Sequence, residues 1–236
     1  MTVRFSASNA DRLMACPASA NLDLAIPGWT PPVVDPTAGA KGKGTNMHAV
    51  IEQATAFTPK EMLGMAEAIK YVAELRQTRR FKVLTEHTFE ATWLQSKPKT
   101  TVDLVLYVAD EIHVIDHKTG KIEVSVHDNS QLAYYAVCAA SLAPKATGVW
   151  VHIVQPWAGN IERVFLSTAE LLTFMREAQA AEEKILQHDL TFGPSEHCKF
   201  CPAYPHSRGD KGRPFCQATM KILYPPKVDE QALLDL

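Results

Sequence analysis

Short runs of apolar and β-branched residues, separated by polar turns, fill the middle of the chain. Runs of this length and composition predict β-strands. They lie near 82–92, 101–108, 112–118, 148–155 and 161–166. Only Ala109, Asp110 and Glu111 separate the second run from the third, so we expect these two strands to form a hairpin.

Apolar positions spaced three and four residues apart predict helices around these strands. The predicted helices lie near 8–20, 45–56, 59–78, around Gln131, and at 168–187. The stretch 27–36 is rich in proline and predicts a loop. No internal repeat interrupts this order.

Length and composition agree with a single globular domain. The chain has 236 residues, of which 46% are hydrophobic and 21% charged, enough for a substantial core. The net charge of −2 does not suit a protein that coats nucleic acid, so any DNA path is expected to be local. Candidate contacts are basic residues near the predicted loops. They are Lys41, Lys43, Lys97, Lys99, Lys121, Arg208, Lys211 and Arg213.

The predicted hairpin carries acidic and basic residues on neighbouring strands. Asp103 lies on the first strand, and Asp116 and Lys118 lie on the second. Side chains two apart on a strand point to the same face, so Asp116 and Lys118 share one. Carboxylates hold Mg²⁺ or Mn²⁺ beside a phosphate, and an ammonium can orient water there. Asp-x-Lys alone is more typical of a solvated surface ion pair, because such pairs are common.

Further polar residues extend this pair into an ordered set. His48 and Glu52 lie one turn apart on a predicted helix, and Gln131 and Tyr135 lie one turn apart on another. In chain order the set is His48, Glu86, Asp103, Asp116, Lys118, Gln131 and Tyr135. At this point the chain resembles the RecB-type nucleases of the PD-(D/E)XK superfamily, most closely their phage-encoded members.

The resemblance implies an α/β fold with a restriction-endonuclease-like core, in which helices flank a central mixed sheet. His48, Asp103 and Asp116 would hold Mg²⁺ or Mn²⁺, and Lys118 would be the catalytic lysine. Gln131 and Tyr135 would contact DNA. Glu86 would fill the family's preceding acidic position, for which Glu90 is the alternative.

Four of the five cysteines form a second pattern. Cys198 and Cys201 form a C-x2-C knuckle, Cys216 follows it, and Cys16 lies near the other end of the chain. The sequence Met1-Thr-Val-Arg-Phe5 lacks the apolar segment of a signal peptide, so we expect a cytoplasmic protein with reduced cysteines. Metal binding is then the better explanation, although the spacing suits zinc and iron-sulfur clusters alike.

The family resemblance favours a [4Fe-4S] cluster, since several RecB-type nucleases clamp one with a cysteine before the core and three after it. Zn²⁺ is the alternative, with His197 and His206 as substitute ligands. Cys138 falls in an apolar stretch and is expected to be a buried core thiol.

These observations predict a single nuclease domain. Its parts are an N-terminal cap at 1–43, a core at 44–190, a cysteine-rich tail at 191–220 and a loose tail at 221–236. The predicted activity is exonuclease cleavage at DNA ends in recombination or end processing, with an annealing protein or helicase as partner. The alternatives are a DNA-binding or scaffolding subunit with weak catalysis, and a zinc-dependent hydrolase. No apolar run is long enough to cross a bilayer.

Overall fold

A computed structural model describes residues 5–30, 66–67, 70–71, 73–74, 81–108, 111–204 and 216–219. The chain divides into two compact units. One consists of Ser6–Ala10 and Val33–Gln179, and the other of Met1–Phe5, Asp11–Pro32 and Ala180–Leu236. The first is called the sheet unit below and the second the cysteine unit.

The sheet unit is built on five strands in the spatial order of the sequence. They are β1 (Phe81–Glu90), β2 (Lys99–Val108), β3 (Glu111–His117), β4 (Gly148–Gln155) and β5 (Asn160–Ser167). The pairs β1–β2, β2–β3 and β4–β5 are antiparallel, whereas β3 and β4 are parallel. The sheet is therefore mixed, and a helical crossover connects its two parallel strands along the chain.

The α-helices whose two ends lie among the described residues are α1 (Ala10–Ala15), α2 (Leu22–Ala25), α3 (Ser130–Ala140) and α4 (Thr168–Leu186). Helix α3 is the crossover between β3 and β4, and it covers one face of the sheet. Asn129 caps α3 by accepting a hydrogen bond from the backbone N–H of Leu132 at 3.1 Å. Because the Tyr107 hydroxyl donates to the carbonyl of Ala139, α3 lies on the Tyr107 face of β2.

Strand alternation assigns the polar residues to this same face. Asp103 lies four residues from Tyr107 on β2, and Tyr107 pairs with Ile112, which lies four residues from Asp116 on β3. The opposite face carries a separate apolar cluster. Its buried members are Leu104, Leu106, Val108, Ile115 and Val154.

The structure confirms the predicted α/β class, with five strands in a mixed central sheet flanked by helices. The predicted helix at 8–20 differs, because two 3₁₀ segments and α1 replace it and the helical path breaks at Cys16. Proline at position 17 has no N–H to continue an α-helix, which accounts for the break. The predicted helix at 45–56 lies outside the described residues.

Within the predicted helix at 59–78, the described positions 66–67, 70–71 and 73–74 are helical. Cys138 is buried as predicted, with 2% of its surface exposed. None of the described helices combines the length and apolar character that crossing a bilayer requires.

A buried histidine pair lies on the face of the sheet opposite α3. His113 Nδ1 and His152 Nε2 are 3.0 Å apart, and His152 Nδ1 is 2.8 Å from the Tyr71 hydroxyl. His152 is fully buried. Burial lowers its pKa to about 3, and the charges of His113 and Arg163 act in the same direction. The pair is therefore neutral at physiological pH.

Acid should destabilise the protein through His152. Between pH 6.5 and pH 3 the unfolded chain binds a proton at this residue and the folded chain does not, so stability is lost as the pH falls through this window. Between pH 7 and pH 4 we expect His152→Gln to lose about 3 kcal/mol less unfolding free energy than the wild type. Urea titrations at both pH values measure this difference.

The control is His127→Gln, because His127 is exposed. The unfolding free energy of this variant should fall between pH 7 and pH 4 by as much as that of the wild type. Equal acid losses in His152→Gln and the wild type would contradict the assignment.

Candidate active site

Two carboxylates meet where β2 and β3 run side by side. Leu104 pairs with Ile115, and one further step in this antiparallel register places Asp103 opposite Asp116. Asp103 is half-buried, and its Oδ2 accepts a hydrogen bond from the backbone N–H of His117 at 2.7 Å. His117 Nδ1 lies 3.7 Å from the same oxygen. The backbone of β3 thus orients the carboxylate of β2.

The neighbouring strand brings Glu86 to this position. Thr85 pairs with Leu104 and His87 with Val102, so Glu86 lies opposite Asp103. Glu86 has a φ of 46°, a left-handed conformation that is uncommon for glutamate and is associated with functional sites. Glu90 lies four residues further along β1, about 13 Å away. The register therefore places Glu86, rather than Glu90, beside Asp103.

Asp116 is a buried acid with an unsatisfied oxygen. Only 3% of the residue is exposed, and Lys118 Nζ lies 2.9 Å from its Oδ2. The contact is a close ion pair, and Oδ2 has no further hydrogen-bond donor among the described residues. A buried carboxylate oxygen in this state favours a bound cation.

Burial raises the pKa of Asp116 to about 6. Lys118 lowers this pKa and the negative charge of Asp103 raises it, so the two neighbours act in opposite directions. Like charges that share a site commonly raise one pKa in this way. The metal-free site therefore holds its second negative charge at a cost in free energy, which a divalent cation would offset.

Helix α3 orients the lysine through two side chains one turn apart. Lys118 Nζ donates to Gln131 Oε1 at 2.7 Å, and Gln131 Nε2 donates to the Tyr135 hydroxyl at 2.8 Å. Burial raises the pKa of Tyr135 to about 12, with a further contribution from the charge of Asp116. Tyr135 thus remains a neutral hydroxyl, and the amide of Gln131 fixes the direction of the ammonium.

Two residues next to Lys118 and Tyr135 were not predicted from the sequence. Thr100 is buried and hydrogen-bonds the Tyr135 side chain. Gln155 ends β4 beside Lys118, whose backbone N–H donates to the carbonyl of Val154 at 3.0 Å. Both are ordinary strand residues in the sequence, and only their place next to Lys118 and Tyr135 distinguishes them.

Two described carboxylates have the chemistry to contribute ligands to a divalent metal ion. Asp103 and Asp116 offer carboxylate oxygens of the kind that Mg²⁺ and Mn²⁺ prefer, and the unsatisfied Oδ2 of Asp116 fits such an ion. Among the described residues, no group of three His, Cys, Asp or Glu side chains is arranged to hold a metal ion as it stands. The predicted third ligand, His48, lies outside the described residues.

Four cysteines meet in the cysteine unit around one cavity of about 20 Å³. They are Cys16, Cys198, Cys201 and Cys216, the four that the sequence analysis grouped. All four are free thiols. Within the part of the chain that the structure describes, these thiols do not form a group arranged to hold a metal ion.

A basic side chain lies among these thiols. Arg12 Nη1 donates to the carbonyl of Ser19 at 2.8 Å, and its guanidinium also hydrogen-bonds Cys201. Burial raises the pKa of the Cys201 thiol, while Arg12 lowers it. A cation beside thiols stabilises their anionic form, which is the form that binds metal.

Gly193 closes the chain against the first cysteine. A Cβ atom at this position would lie 1.7 Å from the carbonyl oxygen of Ala15 and 3.6 Å from the Cα of Cys16. Only glycine permits this approach. The backbone at Gly193 therefore packs directly against Ala15, the residue before Cys16.

Comparisons with solved structures give two distant similarities. The chain is 13% identical to the "Putative exonuclease" from Eubacterium rectale, with a TM-score of 0.43, over 78% of this chain and 74% of that chain. It is 15% identical to the protein SSO0001, with a TM-score of 0.37, over 82% of this chain and 81% of that one. A search among curated proteins found no match.

A family model also matches the chain. It covers residues 53–235, which include the carboxylates, Lys118, α3 and the three C-terminal cysteines. This match extends over more than half of the chain. The protein therefore belongs to the DUF2800 family, whose description is "Protein of unknown function".

Proposed function

We propose that the protein is a metal-dependent DNA nuclease that hydrolyses phosphodiester bonds at DNA ends. The observation that carries this proposal is the buried Asp116, whose unsatisfied Oδ2 lies beside Lys118 and opposite Asp103 on the neighbouring strand. The family resemblance assigns the same residues to phosphodiester cleavage.

In this mechanism Asp103, Asp116 and His48 would hold Mg²⁺ or Mn²⁺, which would supply Lewis-acid polarisation of the phosphate. Glu86 would orient water from β1, since it lies opposite Asp103 and is exposed. Each carboxylate comes from a different strand, so the strand register sets the spacing of the ligands.

Lys118 would orient the attacking water and offset negative charge on the phosphate. Its ammonium lies 2.9 Å from Asp116 and 2.7 Å from Gln131 Oε1. The pairing with Gln131 and Tyr135 restricts the rotamers of a long, flexible side chain, which reduces the entropy lost in the transition state. Exposed surfaces of Gln131 would contact the DNA near the scissile phosphate.

The described basic residues beside the site are few, in agreement with a local DNA path. Lys97, Lys99 and Lys121 are exposed, and the first two lie on the β1–β2 connection and the start of β2. A role in recombination, with an annealing protein or helicase as partner, remains a prediction from the family resemblance.

We propose in addition that the four cysteines hold a [4Fe-4S] cluster, with Zn²⁺ as the alternative. Four free thiols around one cavity match the ligand number of both centres. Four thiolates carry more negative charge than either metal centre neutralises, and Arg12 offers the compensating cation. The centre would be a structural staple, joining residues near both ends of the chain.

Loss of Lys118 should abolish cleavage and spare DNA binding. We expect Lys118→Met to lower kcat by about 1,000-fold or more, because the ammonium stabilises charge that develops in the transition state. The assay uses end-labelled linear DNA and closed circular DNA, single- and double-stranded, with Mg²⁺, Mn²⁺ or EDTA. Loss of linear DNA alone indicates an exonuclease.

The control for this experiment is Lys145→Met, a substitution of an exposed lysine outside the site. Full activity in Lys118→Met would contradict the mechanism. No cleavage by the wild type under any metal would reject the nuclease and leave the DNA-binding or scaffolding alternative. Rescue of EDTA-treated protein by Zn²⁺ alone would favour the zinc hydrolase.

Neutralising Asp116 should stabilise the metal-free protein while it abolishes cleavage. The raised pKa means that the contribution of Asp116 to stability is full below pH 3.8 and is lost as the pH rises through about 6. At pH 8 we expect Asp116→Asn to raise the unfolding free energy by about 1 to 3 kcal/mol in EDTA. Loss of the ion pair with Lys118 offsets part of this gain in unfolding free energy.

The control is Asp128→Asn, because Asp128 is exposed and its φ of 52° also suits asparagine. That variant should match the wild type in stability and in cleavage. A stabilised Asp116→Asn variant that still cleaves DNA would contradict a metal-binding role, and a destabilised inactive one would contradict the electrostatic account.

The cysteine proposal predicts a metal content that depends on Gly193. Protein purified without oxygen should contain iron and acid-labile sulfide and show the visible absorption of a cluster. Gly193→Ala should reduce metal content and destabilise the fold, because the new Cβ would collide with the carbonyl of Ala15.

Gly120→Ala is the control, because its Cβ would meet no atom closer than 3.7 Å. Zinc without iron would favour the Zn²⁺ alternative. Protein that carries neither metal when purified without oxygen would reject the centre.

A further inference from the structure

A buried glutamine at the end of β4 binds the segment between β3 and α3. We name residues 119–129 the connecting loop, which contains no helix or strand. Gln155 is fully buried, and its Nε2 donates to the carbonyls of Gly120 at 2.8 Å and Ile122 at 2.7 Å. Its Oε1 accepts from the backbone N–H of Val124 at 3.0 Å. One side chain therefore makes three hydrogen bonds to the connecting loop.

These bonds begin where the ladder between β3 and β4 ends. His117 pairs with Val154, and the backbone N–H of Lys118 donates to the carbonyl of Val154 at 3.0 Å. The described residues that follow form no further pair with β4. Backbone groups near the core require hydrogen-bond partners, and a neighbouring strand usually supplies them. In the connecting loop the side chain of Gln155 supplies them instead.

Gln155 lies on the same face of the sheet as the proposed active site. Asp116 pairs with Ile153 in the parallel register, and side chains two residues apart on a strand point to the same face. Gln155 therefore shares the face of Asp116 and lies next to Lys118. The carbonyl of Gly120, which it binds, belongs to the second residue after Lys118.

Strand β5 binds the other half of the connecting loop. Asn160 Nδ2 donates to the carbonyl of Val124 at 2.9 Å, and Glu162 Oε2 accepts from the N–H of Val126 at 3.3 Å. Val126 is itself buried. Loss of the Gln155 amide would therefore release the half of the loop next to β3 and leave the half next to α3 in place.

The direction of the Lys118 side chain depends on the backbone on both sides of it. The β3–β4 ladder holds the backbone before it, and Gln155 holds the backbone after it. The ammonium must reach Gln131 Oε1 at 2.7 Å and Asp116 Oδ2 at 2.9 Å at the same time. A small shift of the backbone after Lys118 would break one of these two contacts.

We propose that Gln155 is a positioning residue, which fixes the backbone after Lys118 so that the ammonium keeps the direction that cleavage requires. This inference rests on the proposed nuclease function. Gln155 acts through Lys118 and touches neither the DNA nor a metal ion. Misplacing a catalytic group by about 1 Å can lower a rate by about 100-fold, so a residue outside the chemistry can control it.

Gln155→Met keeps the length of the side chain and removes all three hydrogen bonds. We expect it to lower kcat by about 100-fold and to change the KM for DNA by less than about 2-fold, because Lys118 acts on the transition state. Added to Lys118→Met, it should lower the remaining single-turnover rate by less than about 2-fold, since both substitutions act through one ammonium.

The control is Glu162→Gln, which keeps an oxygen that can accept from the N–H of Val126. It should cleave DNA as fast as the wild type. Gln155→Asn is a milder second variant, because it keeps the amide but is too short to make all three bonds, and its kcat should also fall. Unchanged kcat in both Gln155 variants, or a loss that adds fully to that of Lys118→Met, would overturn the inference.

The ammonium of Lys118 provides a test that requires no cleavage. A lysine ammonium held by hydrogen bonds exchanges slowly with water, so ¹⁵N-labelled protein should show its proton–nitrogen signal, which Lys118→Met identifies by removing it. We expect this signal in the wild type and in Glu162→Gln, and its loss in Gln155→Met and Gln155→Asn. That result would support the positioning role even if the wild type cuts no DNA. Retention of the signal in both Gln155 variants, or its absence from the wild type, would overturn the role even if the wild type is an active nuclease.

Discussion

The charge of Asp116 is the constraint on which the site depends. A carboxylate that is 3% exposed and lies opposite a second carboxylate is unfavourable unless a cation compensates it. Lys118 provides part of this compensation, but its contact leaves Oδ2 of Asp116 without a hydrogen bond. The pKa of Asp116, raised to about 6, shows that ionising this carboxyl remains unfavourable. We infer that the site is built for a further positive charge.

The surrounding elements hold these groups at fixed distances. The hairpin register of β2 and β3 sets the two carboxylates side by side, and α3 directs Lys118 through Gln131 and Tyr135. The parallel pairing of β3 with β4 brings Gln155 to the segment that follows Lys118, where its side chain donates to the carbonyl of Gly120. Each element thus contributes one or two polar groups, and the apolar faces of the sheet keep them in place.

Much of this arrangement is predictable from the sequence, because strand periodicity and ordered polar residues are local signals. The five strands, the hairpin and the Gln131 helix agree with their patterns. The break in the helix at Cys16 follows from Pro17, a local signal that the helical pattern overrode in the prediction. The roles of Thr100 and Gln155 could not be predicted, because they depend on contacts between distant segments. The choice of Glu86 over Glu90 required the register of β1 and β2, which no periodicity encodes.

A calorimetric titration of Mn²⁺ into the DNA-free protein asks whether Asp116 holds a cation. We expect the wild type to bind Mn²⁺ and both Asp103→Asn and Asp116→Asn to lose this binding. Binding at pH 6 should release protons, because the ion displaces the proton of Asp116. Failure of the wild type to bind Mn²⁺, or equal binding by the Asp116→Asn variant, would contradict a cation site at Asp116.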